Sequence, residues 1–218
     1  MDSYDYRQRA RESLTGNWLL AALVTLIALL LGGTGSSASI NIDQDDLEII
    51  NNIPWLMAIM KPLLAYAVFA GIVGFIVGGT VHLGYCTFHL KLYDGQKAEI
   101  GDLFSHFKDQ FADGFLLNLL TAIYVALWSL LLVIPGIVKS YSYAMAPYIM
   151  AEHPEMNADE CITASKEMMH GHKMELFLLD LSFIGWILLT ILTLGIGNVF
   201  LVPYSNAAHA AFYRNISC

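Results

Sequence analysis

The feature that most constrains this chain is a short charged segment, followed by a long apolar stretch, that occurs more than once. The first copy, residues 10–16, reads Ala-Arg-Glu-Ser-Leu-Thr-Gly, and a later copy, residues 165–171, reads Ser-Lys-Glu-Met-Met-His-Gly. Each copy is followed within a few residues by apolar sequence long enough to cross a bilayer. Backbone amides cannot stay unpaired in lipid, so such stretches must form helices. The pattern predicts an all-α membrane protein.

The composition favours the membrane class and excludes others. Hydrophobic residues make up 56% of the 218 residues and charged residues 14%, and the mean hydropathy is +0.56. Soluble domains carry about 25% charged residues. The formal charge of −8, with no basic stripe, argues against nucleic acid as a partner. The cysteines Cys86, Cys161 and Cys218 are odd in number and widely spaced, which predicts free thiols.

Six apolar runs are predicted to cross the membrane as three hairpins, each preceded by a cytoplasmic amphipathic helix. A hydrocarbon core of ~30 Å needs about 20 helical residues. The predicted spans are residues 18–33, 63–84, 115–134, 137–151, 176–194 and 199–213. Pro62 is predicted to begin the second span, Pro135-Gly136 to end the third, and Gly195-Ile196-Gly197 to end the fifth. Five spans with one re-entrant segment is the alternative.

The same pattern predicts one polytopic domain over residues 1–218 with an approximate threefold repeat. The copies are residues 4–84, 98–151 and 157–213, with insertions between them. Because the charged segment before the first apolar run reappears inside the chain, that run is predicted to be an uncleaved span and not a secretory leader.

Basic residues predict the orientation. The segment of residues 34–55 has no Lys or Arg and carries four acidic residues, whereas the predicted cytoplasmic segments hold Arg7, Arg9, Arg11, Lys91, Lys97, Lys108, Lys166, Lys173 and Arg214. Positive residues are retained on the inside of the membrane. Both termini are therefore predicted to be cytoplasmic, in a multi-pass protein of the bacterial cytoplasmic membrane whose first partner is the lipid bilayer.

The cytoplasmic segments show helical spacing of apolar residues. One set is Ile100, Leu103, Phe104, Phe107 and Phe111, and the other is Ala158, Cys161, Ile162, Ser165 and Met169. Asn157, with Glu160 three residues later, resembles a capping box. Two placements are open. The helices lie either on the inner leaflet or against the underside of the helical bundle.

Several ordered motifs carry a family resemblance. They are Gly-Asn-Trp at residues 16–18, Ile-Pro-Gly-Ile at 134–137, Tyr-Ser-Tyr-Ala-Met-Ala-Pro-Tyr at 141–148 and Gly-His-Lys at 171–173. Over nearly its whole length the chain resembles the bacterial integral membrane proteins of unknown function family 975. The Ile-Pro-Gly stretch is also distantly similar to the membrane domain of glycerophosphodiester phosphodiesterases. The family resemblance implies a multi-spanning bacterial membrane protein, and neither resemblance supplies catalytic residues.

Asp180, Asn118 and Lys139 are the candidate intramembrane polar site. A carboxylate within a span costs about 2.5–3.5 kcal/mol on insertion scales, so such groups face a cavity or a partner. Asn118 matches Asp180 in the preceding hairpin, since each follows a Phe-Leu-Leu sequence. A polar, proton-responsive pocket and a plain buried hydrogen bond both fit. The histidines near residue 171 lack a recognised ligand spacing, so no metal or cofactor is predicted.

Two functional classes remain. The first is a non-catalytic membrane scaffold or accessory that binds lipid or another membrane protein. The alternative is a small-solute or proton-coupled transporter or channel, with the three polar residues lining a path. An enzyme is not predicted, because no nucleophile–base pair or metal set is visible. The sequence gives no oligomeric state.

Overall fold

A computed structural model of the protein describes residues 3–31, 54–193 and 197–217, and within these ranges all regular structure is helical. The helices are α1 Ser3–Leu14, α2 Trp18–Leu30, α3 Pro54–Tyr93, a 3-10 helix Ile100–Phe104, α4 Phe111–Leu131, α5 Val133–Tyr143, α6 Ala146–Glu152, α7 Ala158–Met168, α8 Lys173–Leu181, α9 Ile184–Leu192 and α10 Asn198–Ile216. The all-α class is confirmed. Nearly all of the acidic segment of residues 34–55, together with Gly195, Ile196 and Cys218, lies outside the described residues.

Two of the described helical segments are long and apolar enough to cross a membrane, Gly71–Tyr93 and Phe111–Leu131. Helices α1 and α2 meet the same criterion only when taken together, and they bend by 100° at the break between them. The described residues thus contain two such segments, or three if the bent pair is one span. The arrangement of six spans in three hairpins stays a prediction.

The predicted boundaries at Pro62 and Pro135 were wrong. Pro62 lies inside α3 and does not begin it. Helix α4 ends at Leu131, and Leu132 adopts an extended conformation before α5 begins. Pro135 therefore lies in the first turn of α5, where its missing N–H is no loss. The Pro-Gly pair begins the returning helix and does not end the outgoing one.

The predicted fourth and fifth spans are each broken into two helices. Helices α5 and α6 are separated at Ala144 and Met145, and α8 and α9 at Ser182 and Phe183. Pro147 lies in the first turn of α6, a position that suits proline. The sixth predicted span, by contrast, is one continuous helix, α10, with Pro203 inside it.

The α-helical spacing over residues 100–111 gave a wrong prediction, because the segment forms only a short 3-10 helix followed by turns. Asp102 accounts for this. Its carboxylate accepts hydrogen bonds from the Glu99 amide at 2.8 Å and from Lys91 Nζ. Lys91 belongs to α3, so the segment is tied to that helix. The carbonyl of Leu103 approaches Gly84 so closely that a Cβ there would lie 2.2 Å from it.

Helices α1 and α7 turn their apolar faces into the protein. Buried residues on α1 are Tyr6, Ala10 and Leu14, and those on and just after α7 are Ala158, Cys161, Ile162, Ser165 and Met169. The Asn157–Glu160 capping box is confirmed, with both reciprocal hydrogen bonds formed. The sequence left open whether these helices lie on the inner leaflet or pack against the helical bundle. In the structure, α1 and α7 pack against the other helices.

The two copies of the charged segment form the same helix–glycine–helix corner. Gly16 has φ +85° and Gly171 has φ +91°, a region that favours glycine. The amides of residues 15, 17 and 21 donate to carbonyls 12, 14 and 17, and those of residues 170, 172 and 176 donate to carbonyls 167, 169 and 172. Each hydrogen bond of the first corner thus has a counterpart in the second, and the residue numbers differ by the same amount in every case. The corner therefore recurs as a local structure, while the threefold division of the whole chain stays a prediction.

The buried core lies at one end of the molecule, which we call the base. It contains the buried faces of α1, α2 and α8, together with α6, α7, most of α10 and the part of α3 after Val77. The α4–α5 hairpin and α9 extend beyond it as arms with exposed apolar side chains. At the tip of the first arm, the five consecutive residues 130–134 are 64–86% exposed, and Leu192 on the second arm is 80% exposed.

Candidate functional site: a polar cluster in the base

Asp180 joins three helices through its two carboxylate oxygens. Tyr141 of α5 donates its hydroxyl to Oδ2 at 3.0 Å, and His209 of α10 donates from Nε2 to Oδ1 at 2.7 Å. Asp180 itself lies near the end of α8, two residues before the break at Ser182. The Asp180 and His209 side chains are 35% and 26% exposed. The carboxylate therefore sits at the edge of the base, satisfied by two donors that are far away in sequence.

Helix α3 presents four polar or titratable side chains on one face, at helical spacing: His82, Tyr85, Cys86 and His89. Tyr85 shares a hydrogen bond of 2.7 Å with Thr25 of α2. Cys86 is hydrogen-bonded to Tyr148 of α6. This face of α3 ties the first and second predicted hairpins together through buried polar contacts.

His89 is the least satisfied polar group of this face. Its side chain is 1% exposed, and neither ring nitrogen has a hydrogen-bond partner within the described part of the chain. The rings of Tyr85 and Phe88 contact it edge-on, with centroids 4.6 and 5.3 Å away. His209 lies near enough to act electrostatically on both His82 and His89, which connects this face to the Asp180 contact.

Asn118 and Lys139 have other neighbours. Asn118 lies where α3 and α4 cross closely, since a Cβ on Gly79 would meet the Gly114 carbonyl at 2.3 Å and the Asn118 Cβ at 3.0 Å. Lys139 places its Nζ 4.7 Å from the centre of the Trp128 ring, across the α4–α5 hairpin. The contacts described for these residues do not link them to Asp180, and a shared polar path stays a prediction.

Helix starts place three polar residues at equivalent positions. Helices α2, α4 and α8 begin at Trp18, Phe111 and Lys173, so Thr25, Asn118 and Asp180 are each the eighth residue of their helix. The Phe-Leu-Leu sequence identified only Asn118 and Asp180 as equivalent residues. Since the helix starts carry the correspondence, the equivalence of Thr25 could not be recognised from the leucine pattern.

The sequence reasoning also missed Tyr141 and His209 as partners of Asp180. His209 could have been recognised from the sequence, because it is a titratable residue within a predicted span, as Asp180 is. Tyr141 gave none, since nothing local to a tyrosine identifies a partner 39 residues away. Among the described residues, no group of three or more His, Cys, Asp or Glu side chains could hold a metal ion.

A charged contact surrounds Arg214 in the last turn of α10. Its guanidinium is bound by Asp94 and by Glu152, which also accepts a hydrogen bond from Tyr213 at 2.8 Å. Partial burial opposes the charge, but the two carboxylates outweigh it and raise the pKa of Arg214. The contact joins the end of α3, the end of α6 and the last turn of α10.

A comparison with protein families identifies the chain. The model of the family described as protein of unknown function DUF975 matches residues 1–139 and 130–218, which together are the whole chain. The chain belongs to the DUF975 family. This confirms the family resemblance seen in the sequence motifs. Searches of curated proteins and of solved structures found no match to this DUF975 protein.

Proposed function

We propose that this DUF975 protein is a non-catalytic integral membrane protein of the bacterial cytoplasmic membrane. It crosses the membrane as three helical hairpins, with both termini inside, and acts as a scaffold or accessory that binds lipid or a second membrane protein. The observation that carries this proposal is the division of the molecule into a packed base with a buried core and arms with exposed apolar side chains.

The arms need an apolar environment. Burying one Leu, Ile or Val side chain is worth about 1.5–3 kcal/mol relative to leaving it in water. Residues 130–134 expose five such side chains in a row, and α9 adds Leu188 and Leu192. Contiguous apolar surface of this kind is typical of contact with a membrane or a partner protein. Lipid is the environment that covers both arms at once.

The two helix breaks also fit a bilayer. Non-helical backbone at membrane depth is tolerated only where protein shelters it. Met145, at the break between α5 and α6, is fully buried, and Phe183, at the break between α8 and α9, is 3% exposed. Each interruption therefore has one residue buried in the base, which supports a role of the broken helices as membrane segments.

The polar cluster favours a structural role for Asp180. Both carboxylate oxygens are engaged by donors that hold α5, α8 and α10 together. The second candidate function, a proton-coupled transporter or channel, is favoured by His89, whose ring nitrogens lack partners among the described residues.

Cysteine labelling tests the topology. In a Cys218→Ser background the remaining thiols are silent, because Cys86 and Cys161 are buried and burial raises the pKa of Cys161 to about 11. A membrane-impermeant maleimide on whole cells should label Ser37→Cys and Asn41→Cys. It should leave Ser105→Cys and Thr163→Cys, both exposed on the base, unlabelled until the cells are permeabilised. Labelling at residue 105 in intact cells would overturn the orientation.

A further inference from the structure

An apolar groove opens between the first and third predicted hairpins. Its volume is about 360 Å³, within the range of small-ligand sites. The residues that carry the argument are Trp18, Trp186, Leu189, Phe200, Tyr204 and Arg11. Trp186, Leu189 and Phe200 are 42–57% exposed, so the groove faces the surroundings of the arms and is not an enclosed cavity.

At one end of the groove, aromatic side chains contact one another around Tyr204. The Tyr204 ring contacts Trp18 and Trp186, with centroids 6.2 and 6.3 Å away, and packs edge-on against Phe183. Indole and phenol rings at one end of an apolar surface are typical of the membrane–water interface. This end of the groove therefore corresponds to the level of the lipid headgroups in the proposed membrane arrangement.

Arg11 places a positive charge at this end. Its Nε donates to the Tyr204 hydroxyl at 3.0 Å, and its guanidinium carbon lies 5.6 Å from the centre of that ring. Within the described part of the chain this is the one hydrogen bond of the Arg11 side chain, so its terminal nitrogens remain available as donors. None of the described residues that line the groove carries a carboxylate.

We propose that the groove binds an anionic glycerophospholipid, with an acyl chain along the apolar walls and the phosphate on Arg11. The charge complementarity selects this occupant, because a cation without a carboxylate partner at the end of an apolar groove matches a lipid that has both a chain and a negative headgroup. A second copy of the chain or a foreign helix would cover the walls but leave the guanidinium without an anion. The inference rests on the proposed function and specifies its lipid partner.

Tryptophan quenching tests the proposal directly. The full chain carrying Trp55→Phe and Trp128→Phe keeps only Trp18 and Trp186, both in the groove. It is reconstituted into phosphatidylcholine vesicles that contain either brominated phosphatidylglycerol or brominated phosphatidylcholine. We expect phosphatidylglycerol to associate about fivefold more strongly, the effect of one basic residue near an anionic headgroup. Arg11→Gln should abolish this preference.

Two matched controls accompany the test. Arg9→Gln removes a charge two residues away, whose guanidinium binds Tyr93 instead, and should leave the preference intact. Leu189→Phe should reduce quenching by filling the groove, whereas Leu188→Phe, exposed and outside its walls, should not. Equal quenching by the two lipids would overturn the lipid proposal while leaving the membrane arrangement standing. Quenching by neither would overturn both.

Discussion

Asp180 accepts hydrogen bonds at both carboxylate oxygens, from residues of two different helices. Bonds to a charged group contribute about 1.5–3 kcal/mol each, more than neutral pairs. The group is partly exposed, so water reduces its desolvation cost. At the scale of single residues, then, the polar group that is most expensive within the predicted spans also holds three helices together.

The scaffold role predicts a specific pattern of Asp180 variants. Asp180→Asn keeps an acceptor for Tyr141 and should fold with a small loss of stability. Asp180→Leu leaves Tyr141 and His209 without their acceptor and should cost about 1–3 kcal/mol. Thermal unfolding in detergent measures both, with Asp109→Leu, an exposed carboxylate, as the neutral control.

Flux measurements on the same variants separate the two functions. In the scaffold role, wild-type proteoliposomes carry no proton-coupled flux. A reproducible flux that disappears in a well-folded Asp180→Asn variant would favour the transporter, because ionisation itself would then matter.

At the scale of elements, the close packing of α4 against α5 requires Gly136 more than it requires Pro135. A Cβ on Gly136 would lie 2.1 Å from Ser129 Oγ and 2.9 Å from Ser129 Cα, so the two helices could not remain so close. Pro135 occupies a first turn, where alanine is also acceptable.

Gly136→Ala is therefore expected to destabilise the protein by about 1–3 kcal/mol, the usual cost of overpacking. Pro135→Ala should change stability by less than about 1 kcal/mol. Gly185→Ala provides a control, because a Cβ there meets nothing within 4 Å and alanine favours a helix. Thermal melts in one detergent compare the three. Equal losses from Gly136→Ala and Gly185→Ala would contradict the close approach.

The recurring corner makes a paired prediction. At both Gly16 and Gly171 a side chain meets no steric obstacle, so any loss must come from the positive φ. Alanine at either position should cost about 1–2 kcal/mol, and asparagine less. Gly101→Ala, with open space and no positive φ, should be neutral. A neutral Gly171→Ala would mean that the two corners are not equivalent.

At the scale of the whole molecule, the packed base and the arms differ in how well their side chains are covered. The base holds the Arg214 contact with Asp94 and Glu152, the Lys91–Asp102 pair and the polar cluster. The arms carry apolar side chains that few protein neighbours cover. An apolar environment around the arms would remove these side chains from water, and this is the physical basis of the proposed membrane location.

The sequence by itself determined what depends on local pattern. Hydropathy and spacing predicted an all-α chain with apolar segments, the α7 helix with its capping box, and the recurrence of the charged segment. These features depend on residues a few positions apart, whose conformational preferences act within one or two turns.

Only the tertiary structure decided what depends on distant neighbours. Asp102 pairs with Lys91 of α3 in a segment that is 3-10 and not α-helical, and Ser129 closely approaches Gly136 across the α4–α5 hairpin. Asp180 was identified as a carboxylate within a predicted span, but its partners Tyr141 and His209 come from other helices. The energy of such contacts is realised only when the helices meet, so no local pattern encodes them.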